Sequence, residues 1–306
     1  MNPSDRPNLG LVCITHAPTI RYRTLTLSCY NALAVEARAG VLEELYRSNL
    51  ATLLRALDYC AENGIRLYRV TSAPFPLSDL PDGVGESLLE DMPAELAQVG
   101  QKVAQHGIRL VVHPEQYVVI NSDSPSVVEN SIALLEHHAR IFDWFGLPCS
   151  SWAAINIHGG KGGKSRELVE AIARLPQNVR SRLTLENDER AYGAAEILGV
   201  CLQAGVPMVF DAHHHVVKER LPSFEDPSVA HFVSAARATW PRPEWQIVHL
   251  SNGREGLHDS RHHELVFTVP SSYLDVRWIE VEAKHKEVAI GQLEACWPVP
   301  TGSRVS

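Results

Sequence analysis

The segment Leu183-Thr184-Leu185-Glu186 reads as a short strand buried on both faces that stops on a carboxylate. A strand in a parallel sheet is covered on both sides, so its run is almost continuously apolar and a charged residue at its end stands out. The same pattern recurs along the chain. Leu110-Val111-Val112 runs into His113, Ala154-Ile155-Asn156-Ile157 into His158, and Met208-Val209-Phe210 into Asp211 with His214 three residues on. Ile247-Val248 runs into His249 and Ile279-Glu280-Val281 into Glu282. In a (β/α)8 TIM barrel all eight strands end at one face, so residues far apart in sequence meet in one pocket at the C-terminal ends of the strands. The chain therefore reads as a single TIM barrel carrying a polynuclear metal site.

Length and composition agree. A chain of 306 residues fits one barrel of about 250 residues with insertions. The barrel domain is expected over residues 1–297, with a loose tail at 298–306. No apolar stretch approaches the ~18 residues that suggest a membrane span, and Met1-Asn2-Pro3-Ser4-Asp5-Arg6 lacks a signal-peptide pattern, so a cytoplasmic location is expected. The six cysteines are scattered without a C-x-x-C pair and read as reduced, small packing residues. The net charge of −8 argues against a surface coated in basic residues, although bound divalent cations would neutralise several carboxylates.

Strands and helices alternate without a second-domain boundary. Strand 1 is expected over Leu9–Ile14 and the first long helix over Val41–Asn63, stopped by Gly64. The connection between them, residues 15–40, carries Arg21, Tyr22 and Arg23, and a loop of that length on the active face suggests function. Strand 2 spans Leu67–Ser72. A loop over 73–91, a helix over 93–106 and strand 3 ending at His113 follow. The next helix starts at Ser124-Pro125-Ser126, where Ser126 and Glu129 resemble a capping box, and reaches about Phe145.

For any one strand-end histidine, a hydrogen-bonded structural role is the default. Jointly that default fails: burying Glu186, Asp211 and Glu282 unpaired would cost several kcal/mol each unless cations compensate them. Imidazole and carboxylate ligands together suit zinc, manganese or iron, and a carboxylate can bridge two ions. Glu186, on the middle strand of the set, is the candidate bridge. His106, His137, His138 and His231 fall in helical patterns and read as surface or packing residues.

Six motifs appear in order: His113-Pro114-Glu115-Gln116-Tyr117, Asn156-Ile157-His158-Gly159-Gly160, Leu185-Glu186-Asn187-Asp188-Glu189-Arg190, Asp211-Ala212-His213-His214-His215, Val248-His249-Leu250-Ser251 and Glu282-Ala283-Lys284-His285-Lys286-Glu287. Together with Tyr68-Arg69-Val70-Thr71-Ser72 they resemble the UV damage endonuclease family across residues 9–287. The resemblance implies a barrel related to endonuclease IV that incises double-stranded DNA immediately 5′ of UV photoproducts, leaving 3′-hydroxyl and 5′-phosphate ends. It also implies two to three divalent ions, manganese first, with magnesium, zinc and cobalt as alternatives. His113, His158 and Glu186 would hold one ion, Glu186, Asp211, His249 and Glu282 a second, and His214 with His262 would contribute to a third. Glu186, Asp211, His249 and Glu282 would be the catalytic set. Gln116 and Tyr117 would be pushed into the duplex at the lesion, and Arg21, Arg23, Arg69, Lys161, Lys164, Arg190, Lys284 and Lys286, expected on active-face loops, could meet phosphates. No obligate protein partner and no membrane are implied.

Two positions depart from the family pattern. A lysine is common two residues before the strand-7 histidine, where this chain has Ile247, expected to leave an apolar wall beside the third ion. Glu115 stands where glycine is usual. Residues 158–165, His-Gly-Gly-Lys-Gly-Gly-Lys-Ser, nearly spell a phosphate-binding loop, but His158 occupies the first required glycine. Its glycines are instead expected to let the backbone approach a phosphate. The rival readings are an apurinic endonuclease, a metal-dependent sugar isomerase or epimerase on the same barrel, and a damage-binding protein without turnover.

Overall fold

The computed structural model describes residues 6–114 and 117–297. Glu115, Gln116 and the expected tail 298–306 lie outside the described residues. Eight parallel strands close into a barrel in sequence order: β1 (Asn8–Val12), β2 (Leu67–Val70), β3 (Arg109–Val112), β4 (Ile155–His158), β5 (Leu183–Glu186), β6 (Met208–Asp211), β7 (Ile247–Leu250) and β8 (Trp278–Val281). β8 pairs with β1 to complete the ring. The chain is thus a (β/α)8 barrel, as its strand-end pattern predicts. No helix of the described residues is long and apolar enough to cross a membrane.

The helices differ from expectation mainly at their ends. The first long helix is Val35–Glu62, six residues longer at its start than the apolar stripe suggests, because Val35–Gly40 are mostly exposed and carry no burial signal. Short helices Leu27–Asn31 and Val84–Glu90 interrupt segments expected to be loops. Helix Pro93–His106 has the expected limits, with Pro93 opening it and Gly107 ending it at φ 61°. The capping box expected from Ser126 and Glu129 is not formed. The residue that caps helix Pro125–Trp144 is Ser124, whose hydroxyl meets that of Ser126. His137 and His138 are buried on that helix, as packing residues should be. All six cysteines are unpaired, but only Cys60 and Cys201 are buried, while Cys29, Cys149 and Cys296 are exposed.

Side chains alternate between the two sides of each barrel strand, and those pointing inward stack in layers. The lowest layer is apolar. Leu67, Val111, Ala154, Val209, Trp240, Ile247 and Trp278 pack there against Trp152 and Trp245. Arg109 is buried among the tryptophans, with its guanidinium over the Trp152 ring at 4.7 Å. It donates to the carbonyls of Trp152 at 2.8 Å, Trp245 at 2.7 Å and Ser151 at 2.9 Å, so the charge is satisfied without a carboxylate. Ile247 is paired with Trp278 in this floor. The wall expected from Ile247 beside the third ion is therefore absent: it stands two positions before His249, about 7 Å along the strand, and fills the opposite end of the interior.

Candidate metal centre

The strand-end residues arrive at one level. His158, Glu186 and Asp211 are the last residues of β4, β5 and β6, while His113 and Glu282 stand one past β3 and β8. In register, His158 faces Glu186 and Asp211 faces His249. Above them a cavity of about 830 Å³ opens to solvent, lined among others by His113, His158, Glu186, His214, His262 and Glu282. His214 comes from the turn after β6, where Asp211 caps helix Ala212–Glu219 by accepting from the His214 amide at 2.8 Å. His262 is carried by the long connection after β7, folded back through an antiparallel bridge between Gly253 and His262.

Four overlapping groups of ligand-capable atoms result: His113 with His158 and Glu186, Glu186 with Asp211 and His214, Asp211 with His249 and Glu282, and His214 with His262 and Glu282. Glu186 joins the first two, and its oxygens are divided accordingly. Oε2 lies 3.1 Å from His113 Nε2 and accepts from Asn156 Nδ2 at 2.7 Å, while Oε1 lies 2.9 Å from His249 Nδ1. Asp211, His214 and Glu282 are likewise each shared between two groups; His113, His158 and Glu186 fall together as the resemblance implies, whereas Glu186 is grouped with Asp211 and His214 rather than with His249 and Glu282.

The donor chemistry fits divalent cations. His113 Nδ1 can only donate to the Pro114 carbonyl, 2.9 Å away, which turns the lone pair of a neutral His113 Nε2 toward a Glu186 oxygen. With Nε2 unprotonated, that nitrogen and the carboxylate oxygen would both be available as ligands to a divalent cation. Asp211 Oδ2 and His158 Nδ1 are buried without a hydrogen-bond partner among the described residues. Atoms of this kind cost free energy unless something outside the chain satisfies them.

Electrostatics follow from this crowding. Burial works against the charged forms of both Glu186 and His249, yet each holds the other in it: the Glu186 carboxyl lies well below its ordinary range and the His249 imidazole well above. Burial also opposes charge on His214, but Asp211, Glu189 and Glu186 raise its pKa to about 10. Its hydrogen bond to Glu189 in turn lowers that carboxyl to about 2. His158 moves the other way, lowered by burial despite Glu186.

The specific run after β5 is accounted for residue by residue. Asn187 pairs with the β6 backbone at Asp211, donating to its carbonyl at 2.9 Å and accepting from its amide at 3.0 Å. Asp188 accepts from the amides of Arg190, Ala191 and Tyr192 and closes the turn. Glu189 accepts from His214 Nδ1 at 2.8 Å. Two of the glycines after β4, Gly159 and Gly160, are required by close packing, and Gly160 also lines the cavity. A Cβ on Gly159 would stand 2.4 Å from the Tyr192 ring, and one on Gly160 2.5 Å from Asn121 Oδ1.

The expected phosphate contacts are only partly where they should be. Lys161 and Lys164 lie together on the loop after β4, both paired with Asp123. Arg190 is largely exposed beside Glu189, Lys284 pairs with Glu264 at 3.6 Å, and Lys286 begins helix Lys286–Cys296. Arg21 instead donates to the carbonyls of Thr15, His16, Ala17 and Ile20 and pins its own loop, and Arg23 pairs with Glu44. Arg69 departs most. It lies within β2 rather than on a loop, 6% exposed, with its guanidinium on Glu280, Glu282 and His249. Tyr117, past His113, is 68% exposed.

The chain is a TIM barrel with a ring of shared histidines and carboxylates, candidate metal ligands, at its strand ends. The comparisons narrow this description further. The profile of UV-endonuclease UvdE matches residues 7–299, and the chain belongs to this UV-endonuclease family. It is 51% identical over 297 residues, 97% of this chain and 92% of the other, to the UV DNA damage endonuclease of Nostoc sp. strain PCC 7120. The crystal structure of SacUVDE superposes with a TM-score of 0.78 at 25% identity, covering 95% of this chain and 99% of that one. Endonuclease IV from Thermus thermophilus shares the fold, with a TM-score of 0.55 at 14% identity over 94% of this chain and 98% of that one.

Proposed function

We propose that this chain is a metal-dependent DNA endonuclease that hydrolyses the phosphodiester immediately 5′ of UV photoproducts in duplex DNA, leaving 3′-hydroxyl and 5′-phosphate ends. The observation that carries the reading is the division of Glu186 between two ligand groups at the barrel mouth, in a chain of the UV-endonuclease family. His113, His158 and Glu186 would hold one ion, Glu186, Asp211, His249 and Glu282 a second, and His214, His262 and Glu282 a third. Divalent cations in such a ring supply a nucleophile at neutral pH and stabilise charge on the attacking and leaving oxygens.

The chain's own groups orient that chemistry. Pro114 fixes the His113 ring and Glu189 the His214 ring, so that each presents Nε2 to the cavity. Lys161 and Lys164, both paired with Asp123 on the loop after β4, would exchange that carboxylate for a backbone phosphate. Tyr117, exposed on the loop after His113, and Gln116 before it in sequence would fill the gap left by damaged nucleotides, and selection by ease of unstacking needs no base-edge readout.

The test is incubation of purified protein and Mn²⁺ with UV-irradiated, abasic and undamaged plasmids. Nicking of the irradiated plasmid, lost in Glu186→Gln while binding to damaged duplex survives, is the expected result. Nicking confined to the abasic plasmid would assign an apurinic endonuclease instead, and near-normal nicking by Glu186→Gln would remove the bridge.

A further inference from the structure

The middle layer of the barrel interior is polar. Above the tryptophan floor, Arg69 Nη2 donates to Glu280 Oε2 at 2.7 Å and Nε to Oε1 at 3.1 Å, a two-point pairing across β2 and β8. Both residues are buried. Glu280 Oε2 is also 2.5 Å from His249 Nε2, and Arg69 Nη2 reaches Glu282 Oε1 at 2.6 Å. TIM-barrel interiors are dominated by bulky branched apolar residues, and a buried ion pair is at best an even exchange for well-packed apolar side chains. Stability therefore does not explain the pair. Its geometry does: it sits directly beneath two members of the ring.

We propose that Glu280, held by Arg69, is a positioning residue that accepts a hydrogen bond from the Nε2–H of His249 and thereby commits Nδ1 to the metal centre. The logic is tautomeric. An imidazole bound through one nitrogen donates its other N–H to an outer acceptor, and that acceptor fixes ring orientation and raises ligand basicity. His249 Nδ1 faces Glu186 Oε1 at 2.9 Å and Glu282 Oε1 at 3.4 Å, on the cavity side. Nε2 faces down, 2.5 Å from Glu280 Oε2, its only carboxylate partner among the described residues, and 2.9 Å from Arg69 Nη2; the guanidinium can only donate and is directed at Glu280 and Glu282, so the Glu280 oxygen is the acceptor for an Nε2–H. Arg69 has two tasks. It balances the Glu280 charge in a dry interior, and its contact with Glu282 ties the histidine and the carboxylate of one ligand group to a single support.

The inference rests on the metal-centre reading above, and the experiment separates the two. Mn²⁺ binding to the full chain is titrated by electron paramagnetic resonance, and the His249 tautomer is read from long-range ¹H–¹⁵N spectra of the Zn²⁺-loaded protein. The wild type is expected to show Nε2 protonated and Nδ1 metal-bound. Glu280→Gln is expected to weaken one Mn²⁺ site by about 10–100-fold, leaving the site of His113 and His158 near its original affinity. Should Glu280→Gln fail to fold because Arg69 loses its counter-charge, the double variant Arg69→Met with Glu280→Leu removes both charges, and the same site-selective weakening is expected. Unchanged Mn²⁺ affinity in a folded variant, or a wild-type His249 bound through Nε2, overturns the positioning role. A wild type that binds no divalent cation overturns the metal-centre reading itself, and the positioning role with it.

Discussion

Glu189 Oε2 accepts from His214 Nδ1 at 2.8 Å, so the histidine that closes the ring on the β6 side is aimed by a carboxylate belonging to none of the ligand groups. Glu189→Ala should leave Nδ1 without that acceptor and let the ring rotate. On the proposed centre this weakens the site shared by His214, His262 and Glu282 by about 10–100-fold and spares the other two. Metal titration with stoichiometry resolved site by site checks it, and a uniform loss across all sites would count against the assignment.

Tyr117 is expected to act on damaged DNA without touching the metal centre. Replacing Gln116 and Tyr117 together with alanine should cost about 1–3 kcal/mol in the preference for irradiated over intact duplex, the size of a base–aromatic contact. Competition binding measures the preference. Metal content measured on the same preparation should not change; loss of bound metal would make the loop a structural part of the site.

Ile247→Lys should destabilise the barrel rather than improve the site. The new amine would lie in the apolar floor beside Trp278 and near the already cationic Arg109. A cost of about 3 kcal/mol or more, roughly 6–12 °C in Tm for a chain of this size, is expected from burying an unpaired charge. Differential scanning calorimetry of the two proteins decides it. A Tm within about two degrees of the parent would mean that the side chain escapes to solvent.

Acid should act on the fold through His138. Burial, helped by neighbouring His137, lowers its pKa from 6.5 to about 3, and burial lowers His137 to about 4. Because the folded pKa is depressed, the unfolded chain takes the proton first as pH falls through 6.5, and stability is lost until the folded form protonates too. Between pH 7 and pH 5 His138 alone should cost about 2 kcal/mol. His138→Met should remove that share, and denaturant unfolding of both proteins at the two pH values provides the comparison.

The barrel and its ring were legible because both write themselves on strand ends, where a continuous apolar run meets one polar residue. The supports beneath the ring were not. Glu280 sits inside the run Ile279-Glu280-Val281, and period two places it on the same inner face as Glu282, so a lone carboxylate within a buried strand was the available signal. What a single sequence lacks is the partner: Arg69 on β2 reaches Glu280 only by closure of the ring through β1 and β8, and His249 on β7 meets it through the β7–β8 register. Asn156 and Thr184, which lead by hydrogen bonds of 2.8 and 2.7 Å to Glu186, were hidden in the same way. Alternation along β7 gives the inner face for Ile247 but not its height, because period two fixes the side of the wall and says nothing of its level.

The tryptophan floor makes the interior a cup. With Arg109 and its rings packed into one end, the cavity described above has its doorway at the strand tips. A duplex lying across that doorway would act as a stopper. On the proposed function, chelator added before DNA should empty the ring freely, whereas chelator added afterwards should strip it only as fast as the duplex lets go, so the order of addition becomes a clock for residence on the lesion.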